Sequence, residues 1–117
     1  MVVRAGVRRL LEAADEFEIV AEAESGEQAY ELFPKLEPEI TLMDLNMPGM
    51  GGIETIIRIK NRYPNAKIIV LSMYEHGPFI AQAMKAGAKG YLTKSSLGDE
   101  LIKAIKLVAQ GRNFMSS

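Results

Sequence analysis

Asp44, Ser72 and Lys94 each close a short apolar run, and each brings a different reactive group: a carboxylate, a hydroxyl and an ammonium. A carboxylate is a competent nucleophile toward phosphorus, an ammonium pairs with phosphoryl oxygens as a point charge, and a hydroxyl donates a hydrogen bond to one of them. Together they suit a small anion held through a covalent link, and phosphoryl transfer generally adds a divalent cation to neutralise developing charge. Taken singly, Asp44 has a second reading, as an aspartate that hydrogen-bonds its own loop. The choice turns on whether the three run ends meet.

The elements that must bring them together follow from the spacing of apolar residues. Ile40-Thr41-Leu42-Met43 is an apolar run of the kind found in strands buried on both faces, and it ends at Asp44. Met47-Pro48-Gly49-Met50-Gly51-Gly52 cannot continue it, because Pro48 fixes φ and lacks an N–H while the glycines admit unusual backbone angles. Lys67-Ile68-Ile69-Val70-Leu71-Ser72 and Ala88-Lys89-Gly90-Tyr91-Leu92-Thr93-Lys94 predict two further strands, and Glu18-Ile19-Val20-Ala21-Glu22-Ala23 a fourth.

Helices alternate with these strands. Val3, Val7, Leu10, Leu11 and Ala14 recur at helical spacing, so the chain is expected to open directly on a helix with no strand before it. Ser25-Gly26-Glu27-Gln28 has the form of a capping box and starts a second helix with Ala29, Leu32, Phe33 and Leu36 inward. Pro34 should kink or end that helix near Phe33. A third helix buries Ile53, Ile56 and Ile57 and stops at Tyr63-Pro64-Asn65. A fourth begins at Pro78 and ends before Gly87. The last is capped by Ser96, has Asp99 in its first turn, turns Leu101, Ile105 and Val108 inward and runs up to Gly111. Such alternation predicts an α/β fold with a parallel sheet, right-handed crossovers and helices on both faces. In that arrangement the strand ends share one rim, where open α/β sheets place their ligands.

Composition narrows the class. A chain of 117 residues, 48% hydrophobic and 25% charged, is one ordinary globular domain with no internal repeat or linker. A formal net charge of -1 gives no general reason to expect nucleic-acid binding by this segment. The absence of cysteine excludes disulfides, thiolate metal sites and a cysteine nucleophile. No stretch is long and apolar enough to span a bilayer, and the N-terminus lacks a signal-peptide design, so the chain is expected to be cytoplasmic with no membrane partner. His76 reads as a loop histidine rather than a relay or metal ligand, and the seven methionines, Met43, Met47, Met50 and Met73 among them, read as core filling. Gly49-Met50-Gly51-Gly52 forms no Walker or dinucleotide fingerprint.

Asp44-Leu45-Asn46-Met47-Pro48 with Gly52, the strand-terminal Ser72, Gly87-Ala88-Lys89-Gly90-Tyr91-Leu92-Thr93-Lys94, and Ala104-Ile105 to Gly111 resemble, in this order, the receiver domain of two-component response regulators. The resemblance covers essentially the whole chain, and Val3-Arg4-Ala5-Gly6-Val7-Arg8 is similar to the subgroup attached to LuxR/NarL-type helix-turn-helix transcription regulators. It implies a flavodoxin-like three-layer sandwich over residues 1–117, no output domain within the chain, and a signalling rather than an enzymatic role. It further implies Asp44 as phosphoacceptor for a sensor histidine kinase, Ser72 as the switch hydroxyl and Lys94 as counter-ion. Tyr91 matches the aromatic that reports the switch, and Asn46 the residue whose backbone carbonyl meets Mg2+. DNA would be reached only through the output domain.

One departure qualifies these expectations. Family members begin with a central strand ending in an acidic pair that helps hold magnesium, and the resemblance places that strand just upstream of Met1. Asp15 and Glu16 lie at the far end of the first helix and cannot substitute. The sheet is therefore expected to be truncated to four strands with five helices, and magnesium binding to be weak, since Asp44 with one carbonyl leaves an octahedral shell short of protein ligands. Open edges at Ile19-Val20-Ala21 and Ile40-Thr41-Leu42 favour a homodimer formed by strand pairing or exchange over a repaired sheet. A second functional reading follows, a phosphorylation-impaired module for dimerisation or protein interaction.

Overall fold

The computed structural model describes residues 2–3, 11–12, 17, 21–22, 25–44, 52–72, 77–93 and 97–115. Its strands are β1 (Val2–Val3), β2 (Ala21–Glu22), β3 (Thr41–Asp44), β4 (Ile68–Ser72), β5 (Gly90–Thr93) and β6 (Phe114–Met115). The helices with described bounds are α1 (Gly26–Leu36), α2 (Gly52–Arg62), α3 (Gly77–Ala86) and α4 (Leu97–Ala109), and Leu11 and Glu12 are helical as well. All strand pairs are parallel, in the order β2-β1-β3-β4-β5-β6.

Alternation along the strands splits the core into two layers of side chains. Met43, Ile68, Val70 and Tyr91 face Ala29 and Phe33 of α1, Ile56 and Ile59 of α2, and Ala83 of α3. Leu42, Ile69, Leu71 and Leu92 face the other way, onto Leu11 and onto Leu101, Ala104, Ile105 and Val108 of α4. The result is the three-layer arrangement expected from the alternating elements, with β4 and β5 buried along their whole length.

Five expectations are corrected. The chain does not lack a strand before its first helix: Val2 and Val3 are extended and fill the central slot, with Val2 opposite both Ala21 and Thr41 and Val3 opposite Glu22. Helical spacing had assigned Val3 to a helix, but a β-branched pair suits a strand, and backbone groups at the middle of a sheet need partners. Among the described residues the sheet accordingly has six strands rather than four. The edges expected to be open at Ala21 and Thr41 are covered at those residues, which removes that argument for strand exchange. The sixth strand was not anticipated; Phe114–Met115 pairs with Gly90–Tyr91 and covers the far edge.

The fourth correction concerns Pro34, which does not end α1 at Phe33; the helix runs on to Leu36. Pro34 is exposed and lies in the last turn, so its missing N–H forfeits one bond near an end that Glu37 then closes, donating to the Phe33 carbonyl at 2.8 Å with φ 44°. Last, Ile57 is not buried. Gly52, Thr55, Ile56 and Ile59 form the inward stripe, Ile53 is half-buried, and Ile57 is 38% exposed.

The remaining caps follow the sequence. The Ser25 hydroxyl accepts from the Gln28 N–H at 3.1 Å. Gly87 (φ 121°) closes α3 with Gly87 N–H to Met84 carbonyl and Ala88 N–H to Ala83 carbonyl, and Gly111 (φ 88°) closes α4 in the same paired pattern. Ser96 and Asp99 were assigned to the start of α4; Ser96 lies outside the described residues, and Asp99 falls within the first turn.

Candidate functional site

The parallel register brings the strand ends together at one rim. Asp44, the last residue of β3, stands opposite Leu71 of β4; Ser72, one residue farther, stands opposite Thr93 of β5. The ends therefore step outward by one residue from β3 to β4, and Lys94 is next in sequence after Thr93. This backbone arrangement joins Asp44, Ser72 and Thr93, which the sequence separates by 28 and 21 positions.

Ser72 is fully buried, and Thr93 beside it is nearly so. Hydroxyls in an apolar interior need partners, and neither Ser72 nor Thr93 is without one. Alternation from Tyr91 to Thr93 and from Val70 to Ser72 carries the aromatic ring and both hydroxyls on one face of the sheet, the face covered by α1, α2 and α3. Tyr91 is 1% exposed and packs inward in that layer. Thr93 is the residue that sequence reasoning overlooked. Its signal was its place directly before Lys94 at the end of a buried strand.

Lys94 and Asn46 lie outside the described residues, and Asp44 is located by its backbone alone. His76, Met47, Met50 and Met73 also fall outside them. Met43 is buried in the core, as the packing reading of the methionines requires.

The electrostatic features that are resolved lie away from the rim. Burial, and then the like charge of Lys89, hold the Lys60 ammonium below its ordinary pKa. Its Nζ donates to the carbonyls of Pro64 and Ala66, the latter at 3.0 Å. A hydrogen bond with Tyr30 raises Arg62, whose guanidinium lies 5.8 Å from the Tyr63 ring centre; that ring stacks at 4.9 Å on Phe33. Phe33, Arg62 and Tyr63, with Pro34, Pro38 and Pro64, line a cavity of about 370 Å³ where α1 and α2 end. Among the described residues no three of His, Cys, Asp and Glu cluster as a metal site, and no helix is long and apolar enough to cross a membrane.

Comparison with known proteins agrees with this architecture. The family model for the response regulator receiver domain matches residues 1–106. The chain is 45% identical over 108 residues to the transcriptional regulatory protein DegU of Brevibacillus brevis, covering 92% of this chain and 46% of that protein. It is 38% identical to the nitrate/nitrite response regulator NarL of Escherichia coli K12, covering 98% of this chain and 53% of NarL. A LuxR-family response regulator from Aurantimonas superposes with a TM-score of 0.91 at 39% identity, over 98% of this chain and 86% of that one. The chain thus spans about half the length of these curated relatives. Response regulators are generally signal transducers rather than enzymes. With the rim, the sheet order and these matches in agreement, the chain belongs to the receiver domains of response regulators, of the NarL/LuxR type.

Proposed function

We propose that Asp44 accepts a phosphoryl group from the phosphohistidine of a sensor histidine kinase, and that the phosphorylated domain controls a DNA-binding helix-turn-helix output domain. In the transfer, a carboxylate oxygen of Asp44 forms the new P–O bond as the P–N bond to the kinase histidine breaks, and the imidazole leaves. The stepped convergence of Asp44, Ser72 and Thr93 at one rim is the observation that carries the reading. In it Ser72 donates to a phosphoryl oxygen, Lys94 pairs with another, and Tyr91 follows the rearrangement from its inward position. A phosphoryl group adds roughly -1.5 to -2 charge, enough to bias a two-state rearrangement. A homodimer is the proposed output state, its interface supplied by a surface other than the filled central slot.

Receiver domains of this family generally bind Mg2+. When bound, such an ion neutralises charge on the transferring group. Among the described residues the donors do not complete a site: β1 is Val2–Val3, with Arg4 next in sequence, and no acidic cluster exists there. Asp44 and the Asn46 carbonyl would leave most of the octahedral shell to water. We therefore expect slow phosphorylation that requires high magnesium.

The test is incubation with a small acyl phosphate across a magnesium series, followed by intact mass. One added phosphoryl group, lost in Asp44→Asn and formed slowly at low magnesium, is expected. Addition that survives in Asp44→Asn, or none at any magnesium concentration, overturns the assignment.

A further inference from the structure

Helices α2 and α3 lie side by side, and a groove of about 550 Å³ opens between them. Its apolar lining is Ile53, Ile57 and Ala86, and its polar lining includes Lys60, Gln82 and Lys85. Among the described residues Ile57 is the large hydrophobic side chain left exposed. A single exposed isoleucine is ordinary. Here it continues into the half-buried Ile53 one turn earlier, so the apolar surface forms a strip along α2.

The charges of the described residues that line the strip are of one sign. Among the described residues no carboxylate lines the groove, and α3 contains no acidic residue from Gly77 to Ala86. Lys60 is fixed in place by the carbonyls of Pro64 and Ala66, which hold the ammonium without cancelling its charge. Lys89 is close enough to Lys60 to oppose its protonation, which adds a third cation to the same corner. On α2 the nearest carboxylate, Glu54, is taken by Arg58 at 3.0 Å in an i, i+4 pair. An apolar strip between uncompensated cations is complementary to a helix with leucine-type side chains on one face and carboxylates beside them.

We propose that the α2–α3 groove docks an acidic amphipathic helix of a partner protein, its apolar side chains on Ile53 and Ile57 and its carboxylates against Lys85 and the Lys60 corner. This surface is separate from the rim that carries Asp44, and its test does not depend on phosphorylation.

The probe is a designed amphipathic helix with leucines at i, i+4 and i+7 flanked by glutamates, titrated into the isotopically labelled protein by NMR. A matched peptide with lysines for glutamates serves as control. Shifts concentrated at Ile53, Ile57, Gln82 and Lys85, with affinity falling as salt rises, are expected. Lys85→Glu and Ile57→Ser should each weaken binding by about fivefold, while Lys103→Glu on the exposed face of α4 leaves it unchanged. Circular dichroism verifies that each variant is folded. No binding, shifts centred elsewhere, or equal binding of the lysine peptide overturns the proposal. So does concentration-dependent self-association of the protein that Ile57→Ser abolishes, which would make a second copy the occupant.

Discussion

The Lys60 side chain serves two neighbours at once: its ammonium donates to the carbonyls of Pro64 and Ala66, and its methylenes pass within reach of Gly87. Charged donors to carbonyls contribute about 1.5–3 kcal/mol each before losses to solvent, so Lys60→Met should cost about 1–2 kcal/mol. The pH dependence has a definite sign. Burial and Lys89 lower the folded-state pKa below 10.5, so between that lowered value and 10.5 the unfolded chain binds more protons than the folded one. Stability contributed by Lys60 therefore rises with pH through that window. Urea denaturation of the protein and of Lys60→Met should show a stability difference that widens as pH approaches 10.5; a narrowing difference would mean that the carbonyl bonds outweigh burial and the like charge. None of this was visible in the sequence. A lysine four residues before a proline looks like any solvated lysine until the chain turns back beneath it.

Helix ends were more legible than helix faces. Gly87 and Gly111 were expected to close their helices because a left-handed terminal residue favours glycine, and both do so with the same pair of backbone bonds. Their surroundings differ, which separates two costs. A Cβ at Gly111 would meet nothing within 4 Å, whereas at Gly87 it would lie 2.7 Å from Lys60 Cγ. Gly111→Ala should thus cost the backbone term alone, about 1–2 kcal/mol, and Gly87→Ala more. Thermal or urea denaturation of both variants checks the ranking, and Lys60→Ala combined with Gly87→Ala should cost less than the sum of the two singly. Equal costs at the two glycines would show that the Lys60 chain swings aside freely. The faces were harder to read because α2 carries four isoleucines, at 53, 56, 57 and 59. Hydrophobicity alone permits several stripes through them, and packing against Phe33, Met43 and Tyr91 selects the one that leaves Ile57 outside.

At the scale of the whole molecule, the rim that carries Asp44 and Ser72 was legible because it depends on parallel strands ending together, and strand ends are marked by a change from apolar to polar residues. The centre of the sheet was not. The slot between β2 and β3 is filled by Val2 and Val3, and the helical spacing that starts at Val3 outweighed the β-branched pair as a local signal. Among the described residues the pairing there is also lopsided: β3 meets β4 along Thr41, Leu42, Met43 and Asp44, but meets β1 at Thr41. Short pairing concentrates its contribution in few backbone bonds, so β1 and β2 should open at lower free energy than β3, β4 and β5. Native-state hydrogen exchange should find the slowest amides in β4 and β5 and faster exchange at Ala21 and Glu22. Val3→Pro tests the central strand directly, since proline cannot donate to a ladder and is excluded from strand interiors. With the pairing of Val3 to Glu22 disturbed, it should destabilise the domain by about 1–3 kcal/mol and abolish the residual protection of Ala21 and Glu22. The amides of β4 and β5 should stay the slowest in the domain. Unchanged stability and protection in Val3→Pro would mean that the sheet is held by β3, β4 and β5 alone and that β1 contributes nothing to its centre.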